Sequence, residues 1–169
     1  MSKQLFVDPS ALRKPGKVHF QDIPLNTYQK AVKDEVGNLT KQQLRDIYRD
    51  MLMLREFETM LNLIKTTGEY QGIAYNHPGP AHLSMGQEAS AVGMAFHLDE
   101  NDYIFGSHRS HGEILAKGLS AIEKLSDDAL LAIMKEFFGG EILKVVETGK
   151  HDSVKAMAID FLLYGAMSE

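Results

Sequence analysis

Between Leu44 and Ile64 apolar side chains recur at Leu44, Ile47, Tyr48, Met51, Leu54, Phe57, Leu61 and Ile64. That spacing places them on one helical face over several turns. Thr40-x-x-Gln43 has the form of a capping box, and Gly68 supplies a left-handed stop. The pattern predicts a helix over about 41–67, with Tyr48, Met51, Phe57 and Met60 read as core packing. A loop follows, GEYQGIAYNHPGP, whose glycines and prolines argue against any regular element over 68–80. Ser84-x-x-Gln87 repeats the capping-box form and predicts a second helix over 84–96. Its small residues, Ala89, Ser90, Ala91, Gly93 and Ala95, suit close approach by a neighbouring element or subunit.

LDEND, residues 98–102, reads as a turn, and Tyr103-Ile104-Phe105 as a short buried strand. A polar loop, Gly106 to Gly112, then leads into a helix predicted from about Ser110 to Lys117 and ended by Gly118. Beyond it the pattern is helical three more times. Ser126 caps a helix through Phe138, a short helix runs from Glu141 to Thr148, and Asp152 or Ser153 caps a last one. That last helix carries Met157, Ile159, Phe161, Leu162 and Leu163, reaches the final residue without a stop signal, and wants partners for its apolar surface. Before the first helix, Pro9, Pro15 and Pro24 interrupt regular structure. Residues 1–38 read as an extended arm with a short helix near Asn26–Glu35, and LFV and KVHF are too short to assign as strands.

Composition narrows the class. The 169-residue chain is 44% hydrophobic with an ordinary charged share, enough for one folded domain rather than a disordered chain. A net charge of −5 gives no electrostatic reason for a nucleic-acid partner. The absence of cysteine excludes disulfides and cysteine-based zinc sites. No run approaches the ~18 apolar residues of a membrane span, and the first residues lack the apolar core of a signal peptide. The expectation is a cytoplasmic protein without a membrane or nucleic-acid partner.

Four of the seven histidines, His82, His97, His108 and His111, fall between Pro80 and Gly118, and that stretch is where chemistry is expected. Arg109 is permanently charged and presents a planar fork suited to phosphate or carboxylate. A strand, polar loop and helix N-terminus in succession commonly hold an anion, which favours that reading. A surface ion pair with Asp99, Glu100 or Asp102 is the competing one. His108 and His111, close together at a helix start, suit ligand contact or proton transfer. They also suit a metal, with His77 or His82 as third ligand, although no H-E-x-x-H motif supports it. His82, where a loop meets a rigid element, is placed for general acid–base work. His97 and Glu88 read as structural. No dinucleotide fingerprint, Walker loop or nucleophile elbow is present.

The segments RDMLMLREFE and HLSMGQEASAVGMAFHLDENDYIFGSHRSHGEILAKG together carry R-x-F-E, H-L-x-x-G-Q-E-A and D-Y-x-F…H-R-x-H-G. In these the chain resembles the alpha subunit of the thiamin-diphosphate-dependent, decarboxylating component of 2-oxoacid dehydrogenase complexes, the family of pyruvate, branched-chain 2-oxoacid and acetoin dehydrogenases. The likeness covers about 41–118 and continues more loosely through AIDFLLYGAMSE. It implies a doubly wound α/β parent fold, of which this portion is mostly helical with one or a few short strands. It implies that His82 lines the site near the reacting end of the cofactor. It places His108 and Arg109 on the cofactor diphosphate, with His111 and Gly112 completing that loop and His111 counted with His82 among the catalytic residues. It assigns the cofactor-activating glutamate to the beta subunit or beta half, so Glu88 does not take that role. The implied partners are that beta part, a lipoyl acyltransferase component and a 2-oxoacid, in an oligomer.

Two departures qualify the resemblance. Residues 119–157 read as a helical insertion within 39–169, as in longer forms with fused alpha and beta halves. The G-D-G…N-N motif that binds Mg2+ and anchors the diphosphate is absent, as is a G-G-S-M-H segment. The chain is therefore expected to be an N-terminal portion of such a subunit, inactive alone. The alternatives are a non-enzymatic helical interaction module and, more remotely, a histidine–metal protein.

Overall fold

The computed structural model describes residues 8–17, 22, 24–25, 27–76 and 79–168. The chain divides at Asn38/Leu39 into two units. Within the first, α1 (Pro9–Leu12) and α2 (Val32–Glu35) are single turns. The Tyr28 hydroxyl donates to Glu35 at 2.7 Å. The segments LFV and KVHF lie wholly or mostly outside the described residues.

The second unit is built on α3 (Lys41–Thr67). Its start is the predicted one: Thr40 Oγ1 accepts from the Gln43 N–H at 3.1 Å, and Gln43 Oε1 accepts from the Thr40 N–H at 2.8 Å. Its end is Gly68, at φ 78°, whose N–H bonds back to the Ile64 carbonyl. A left-handed residue there satisfies a carbonyl that the helix leaves open. The stripe faces the core at Leu54, Phe57, Leu61 and Ile64, with Met51 and Met60 partly buried against it. Tyr48 does not: it is 62% exposed, on the edge of the stripe.

Two short strands follow, β1 (Glu69–Tyr70) and β2 (Ile73–Ala74), paired antiparallel. The expectation of no regular element over 68–80 is corrected here. Gln71 and Gly72 both take positive φ, which is the backbone a two-residue hairpin turn requires.

Helices α4 (Glu88–Ala95) and α5 (His111–Lys124) pack across α3. Leu54, Phe57 and Leu61 meet Ala91, Val92 and Ala95 of α4 and Leu115, Ala116 and Leu119 of α5 in one core. Ala91 and Ala95 permit this close three-helix contact, while Ala89, Ser90 and Gly93 face solvent. Two boundaries differ from expectation. Helix α4 begins at Glu88 rather than Ser84, because the Ser84 side chain is used elsewhere. Helix α5 runs through Gly118 to Lys124: a Cβ at Gly118 would sit 2.6 Å from a Leu162 methyl, so this glycine admits a neighbouring helix instead of ending its own.

The segment Tyr103–Phe105 is not a strand. No described residue pairs with it, and Tyr103 and Phe105 are 91% and 98% exposed. A three-residue apolar run has no ladder of its own and needs a neighbouring strand.

The remaining elements are α6 (Asp127–Glu136), a 3-10 turn over Phe137–Gly140, α7 (Glu141–Val146) and α8 (Val154–Ser168). Ser126 and Ser153 cap as predicted, accepting from the Ala129 and Ala156 N–H groups. A second core joins Ile122, Leu130, Met134, Leu143, Val146 and Ala158. The apolar surface of α8 finds partners on both sides. Leu163 packs on the first core, Met157 and Phe161 on the second, and Ile159 and Leu162 on both. The second unit is thus mostly helical with one two-stranded sheet.

Candidate functional site

Two carboxylates hold the three motif segments together. Glu58, on α3, is 2% exposed. It accepts the Ser84 N–H at 2.8 Å and the Ser84 hydroxyl at 2.9 Å. The same hydroxyl oxygen accepts the Gly112 N–H, from the first turn of α5, at 3.2 Å. His111 Nδ1 lies 3.3 Å from Glu58 Oε1, off hydrogen-bond alignment, and is without another hydrogen-bond partner among the described residues. Phe57 meets the His111 ring edge-on at 6.1 Å.

The second carboxylate is Glu88, at the start of α4. Arg55 grips it through two bonds, at 2.6 and 2.9 Å, and the Gly86 N–H donates to it at 2.9 Å. The Arg55 bonds, with the Gly86 N–H adding to them, hold the carboxyl down at about 2 against the opposing effect of burial. A bidentate arginine pair fixes direction as well as distance. Arg55 and Glu58 are both in R-x-F-E, and Ser84 and Glu88 are both in H-L-x-x-G-Q-E-A. The two motifs therefore meet twice, one helical turn apart.

Above this frame the polar loop presents its side chains to solvent. The His82 and His108 rings stand edge to face with centroids 5.0 Å apart. The Arg109 N–H donates to Ser107 Oγ at 3.1 Å, and its guanidinium reaches the Leu83 carbonyl at 3.3 Å. Arg109 is exposed, and among the described residues no carboxylate pairs with it; Asp99, Glu100 and Asp102 are not its partners. An unneutralised guanidinium and two imidazoles share one edge of the unit at the start of the 14-residue α5, whose Gly112 N–H is already given to Ser84. That donor set suits an anion with several oxygens.

The family model described as "Dehydrogenase E1 component" matches residues 58–158, a span that contains all of these loop residues. The chain belongs to the dehydrogenase E1 component family. Among curated relatives, the alpha subunit of an acetoin:2,6-dichlorophenolindophenol oxidoreductase of Cupriavidus necator is 36% identical over 101 residues, 60% of this chain and 26% of that one. A pyruvate dehydrogenase E1 component alpha subunit of Rhizobium meliloti is 36% identical over 86 residues, 51% of this chain and 23% of the relative. A 2-oxoisovalerate dehydrogenase alpha subunit of Bacillus subtilis is 38% identical over 85 residues, covering 49% and 23%. The chain spans about a quarter of the length of the relatives it matches. No solved structure matches it significantly.

For this E1-family chain, the residues singled out from sequence fall into two layers. His82, His108 and Arg109 come together at the exposed loop, while His111 sits beneath them against Glu58. His97 lies apart, edge-on to Phe96 at 5.3 Å. Glu88, read as structural, is tied to Arg55 and to the Gly86 N–H at the start of α4. Among the described residues no three His, Asp or Glu side chains gather as a metal site, and His77 lies outside those residues. No described helix is long and apolar enough to cross a membrane. Sequence reasoning missed Glu58 and Ser84. A signal existed for Glu58: it is a carboxylate one turn after Leu54 and one turn before Leu61, inside the apolar stripe, and a charge there needs a buried partner.

Proposed function

We propose that this chain supplies one lobe of the thiamin-diphosphate site of a 2-oxoacid dehydrogenase E1 alpha subunit, within the doubly wound α/β parent fold. The observation that carries the proposal is Arg109: an exposed, unpaired guanidinium at the N-terminus of α5, beside the facing rings of His82 and His108. The donor chemistry fits a diphosphate. Arg109 binds it with the remaining first-turn N–H groups of α5, that of Gly112 being held by Ser84, and His108 adds a ring donor at the same edge. His82, on the segment fixed by Ser84 to Glu58, stands where a proton can be held or passed near the reacting end. The turn that carries His111 is tied to Glu58 through the Gly112 N–H and the Ser84 hydroxyl. When bound, thiamin diphosphate supplies the electron sink for decarboxylation of a 2-oxoacid.

In this reading the Mg2+ ligands, the glutamate that activates the cofactor and the lipoyl acyltransferase docking all come from outside these residues, the glutamate from a beta subunit or fused beta half. Residues 119–157 are the helical insertion, and Tyr103–Phe105 takes its place in the parent sheet beside strands supplied elsewhere. The test is cofactor affinity in the assembled enzyme. Arg109→Ala is expected to weaken thiamin-diphosphate binding at least tenfold while leaving the chain folded; unchanged affinity removes the diphosphate assignment.

A second reading, a non-enzymatic helical interaction module, draws on the bare Tyr103 and Phe105 side chains. It predicts partner capture that is indifferent to Arg109→Ala and to cofactor.

A further inference from the structure

Two segments carry the residues proposed to meet the cofactor: His82 to Ser84, ahead of α4, and His108 to Gly112, running into α5. Three contacts join them. The His82 and His108 rings stand edge to face at 5.0 Å, the Arg109 guanidinium donates to the Leu83 carbonyl at 3.3 Å, and the Gly112 N–H donates to Ser84 Oγ at 3.2 Å. The first two are made by exposed side chains, and a ligand that engages Arg109 or turns either ring breaks them. The third is enclosed: Ser84 is 4% exposed and Gly112 is buried with it. It is the contact that survives when Arg109 leaves the Leu83 carbonyl for an anion.

Every hydrogen-bonding group of Ser84 is committed, and to three different helices. Its N–H and O–H both donate to Glu58 of α3, at 2.8 and 2.9 Å. Its hydroxyl oxygen accepts from the first turn of α5, and its carbonyl accepts at 3.0 Å from the Gln87 N–H, which leads into α4. A hydroxyl has one proton. Giving it to a charged carboxylate leaves lone pairs toward Gly112 and polarises the oxygen as an acceptor. Gly112 is matched to the same contact. A Cβ there would lie 3.0 Å from Ser84 Oγ and 3.7 Å from the Ala91 methyl, so α5 comes this close only where it has no side chain.

We propose that Ser84 is a positioning residue: its hydroxyl, oriented by Glu58, sets the spacing between His82 and the loop of His108 and Arg109, so that one ligand meets both segments at once. The proposal rests on the thiamin-diphosphate reading of the site. A residue that only stabilises the fold weakens every ligand alike. One that sets a spacing weakens a ligand held by both segments more than a ligand held by the loop alone, because misplacement acts on the second contact.

The test compares two probes by NMR titration of the histidine ring protons in the purified chain. Thiamin diphosphate is the ligand that the reading places on both segments, and methyl diphosphate offers the loop its anion alone. Wild type is expected to bind thiamin diphosphate more tightly by about tenfold or more. Ser84→Ala, with its circular dichroism spectrum retained, should reduce that advantage to about twofold or less. Gly112→Ala presses the segments apart without removing a hydrogen-bonding group and should do the same; it decides the matter if Ser84→Ala does not fold. Gly118→Val, a destabilising change farther along α5, should keep the wild-type advantage. The proposal is overturned if wild type shows no advantage, if the folded Ser84 and Gly112 variants keep it, or if Gly118→Val loses it equally. Failure of wild type to bind either diphosphate overturns the site reading itself, and this proposal with it.

Discussion

Removing the Glu58 carboxylate should loosen the junction of α3, the Ser84 segment and α5 together. Glu58→Ala deletes the acceptor of two bonds, from the Ser84 N–H and hydroxyl. Each bond to a charged acceptor contributes about 1.5–3 kcal/mol net, and the stranded amide of Ser84, a residue only 4% exposed, costs about 1–3 kcal/mol more. Loss of the buried charge offsets part of this, since a buried carboxylate is itself expensive to desolvate. The expected net loss is about 3 kcal/mol. Glu58→Gln keeps the volume and one acceptor but turns an amide NH2 toward a donor, for a loss of about 1–2 kcal/mol. Equilibrium urea denaturation of the 169-residue chain, followed by circular dichroism, reads both values from the midpoint shift. Ser84→Ala completes a double-mutant cycle, with an expected coupling of about 1 kcal/mol or more. Losses below about 0.5 kcal/mol for both Glu58 variants, or a coupling near zero, would refute the reasoning.

Glu88 offers a pH test. Its folded-state pKa, about 2, lies below the ordinary 4.5, so its stabilising contribution is fully present above 4.5 and disappears as the pH falls toward 2. Glu88→Gln should therefore lower the urea midpoint at pH 6, and the gap from wild type should close between pH 4.5 and 2; a gap that stays constant over that window would show that the Arg55 pair does not act as described. Gly118→Val should destabilise by about 1–3 kcal/mol through collision with Leu162, and Leu162→Ala should cost less in that background than alone. A Gly118→Val protein as stable as wild type by thermal melting would mean that α5 and α8 have room between them.

What was legible in the sequence was mostly local. The two ends of α3 depend on Thr40, Gln43 and Gly68, residues within a turn of the backbone groups they satisfy. The caps at Ser126 and Ser153 are equally local. Ser84 shows where this reading stops. Its spacing to Gln87 matches a capping box, but its hydroxyl donates to Glu58, 26 residues earlier, and accepts from Gly112, 28 residues later. A non-local carboxylate outcompeted the local cap. Gly118 looks like a helix end from its neighbours alone and is explained only by Leu162. Tyr103–Phe105 has the composition of a buried strand, and composition cannot supply the neighbour that a ladder needs. At the site, Arg109 suggested an anion holder with a surface ion pair as the competing reading, His108 suited ligand contact, proton transfer or a metal, and His82 suited acid–base work. What only the fold reveals is how Glu58 and Glu88 hold that loop in place.

The most direct test of the central proposal is a titration of this chain with thiamin diphosphate and with unphosphorylated thiamin, monitored by NMR of the histidine ring protons. The account predicts that millimolar thiamin diphosphate shifts the His108 and His82 signals, that thiamin alone does so at least tenfold more weakly, and that Arg109→Ala abolishes the difference. Signals that do not move, or that move equally for the two compounds, would contradict it.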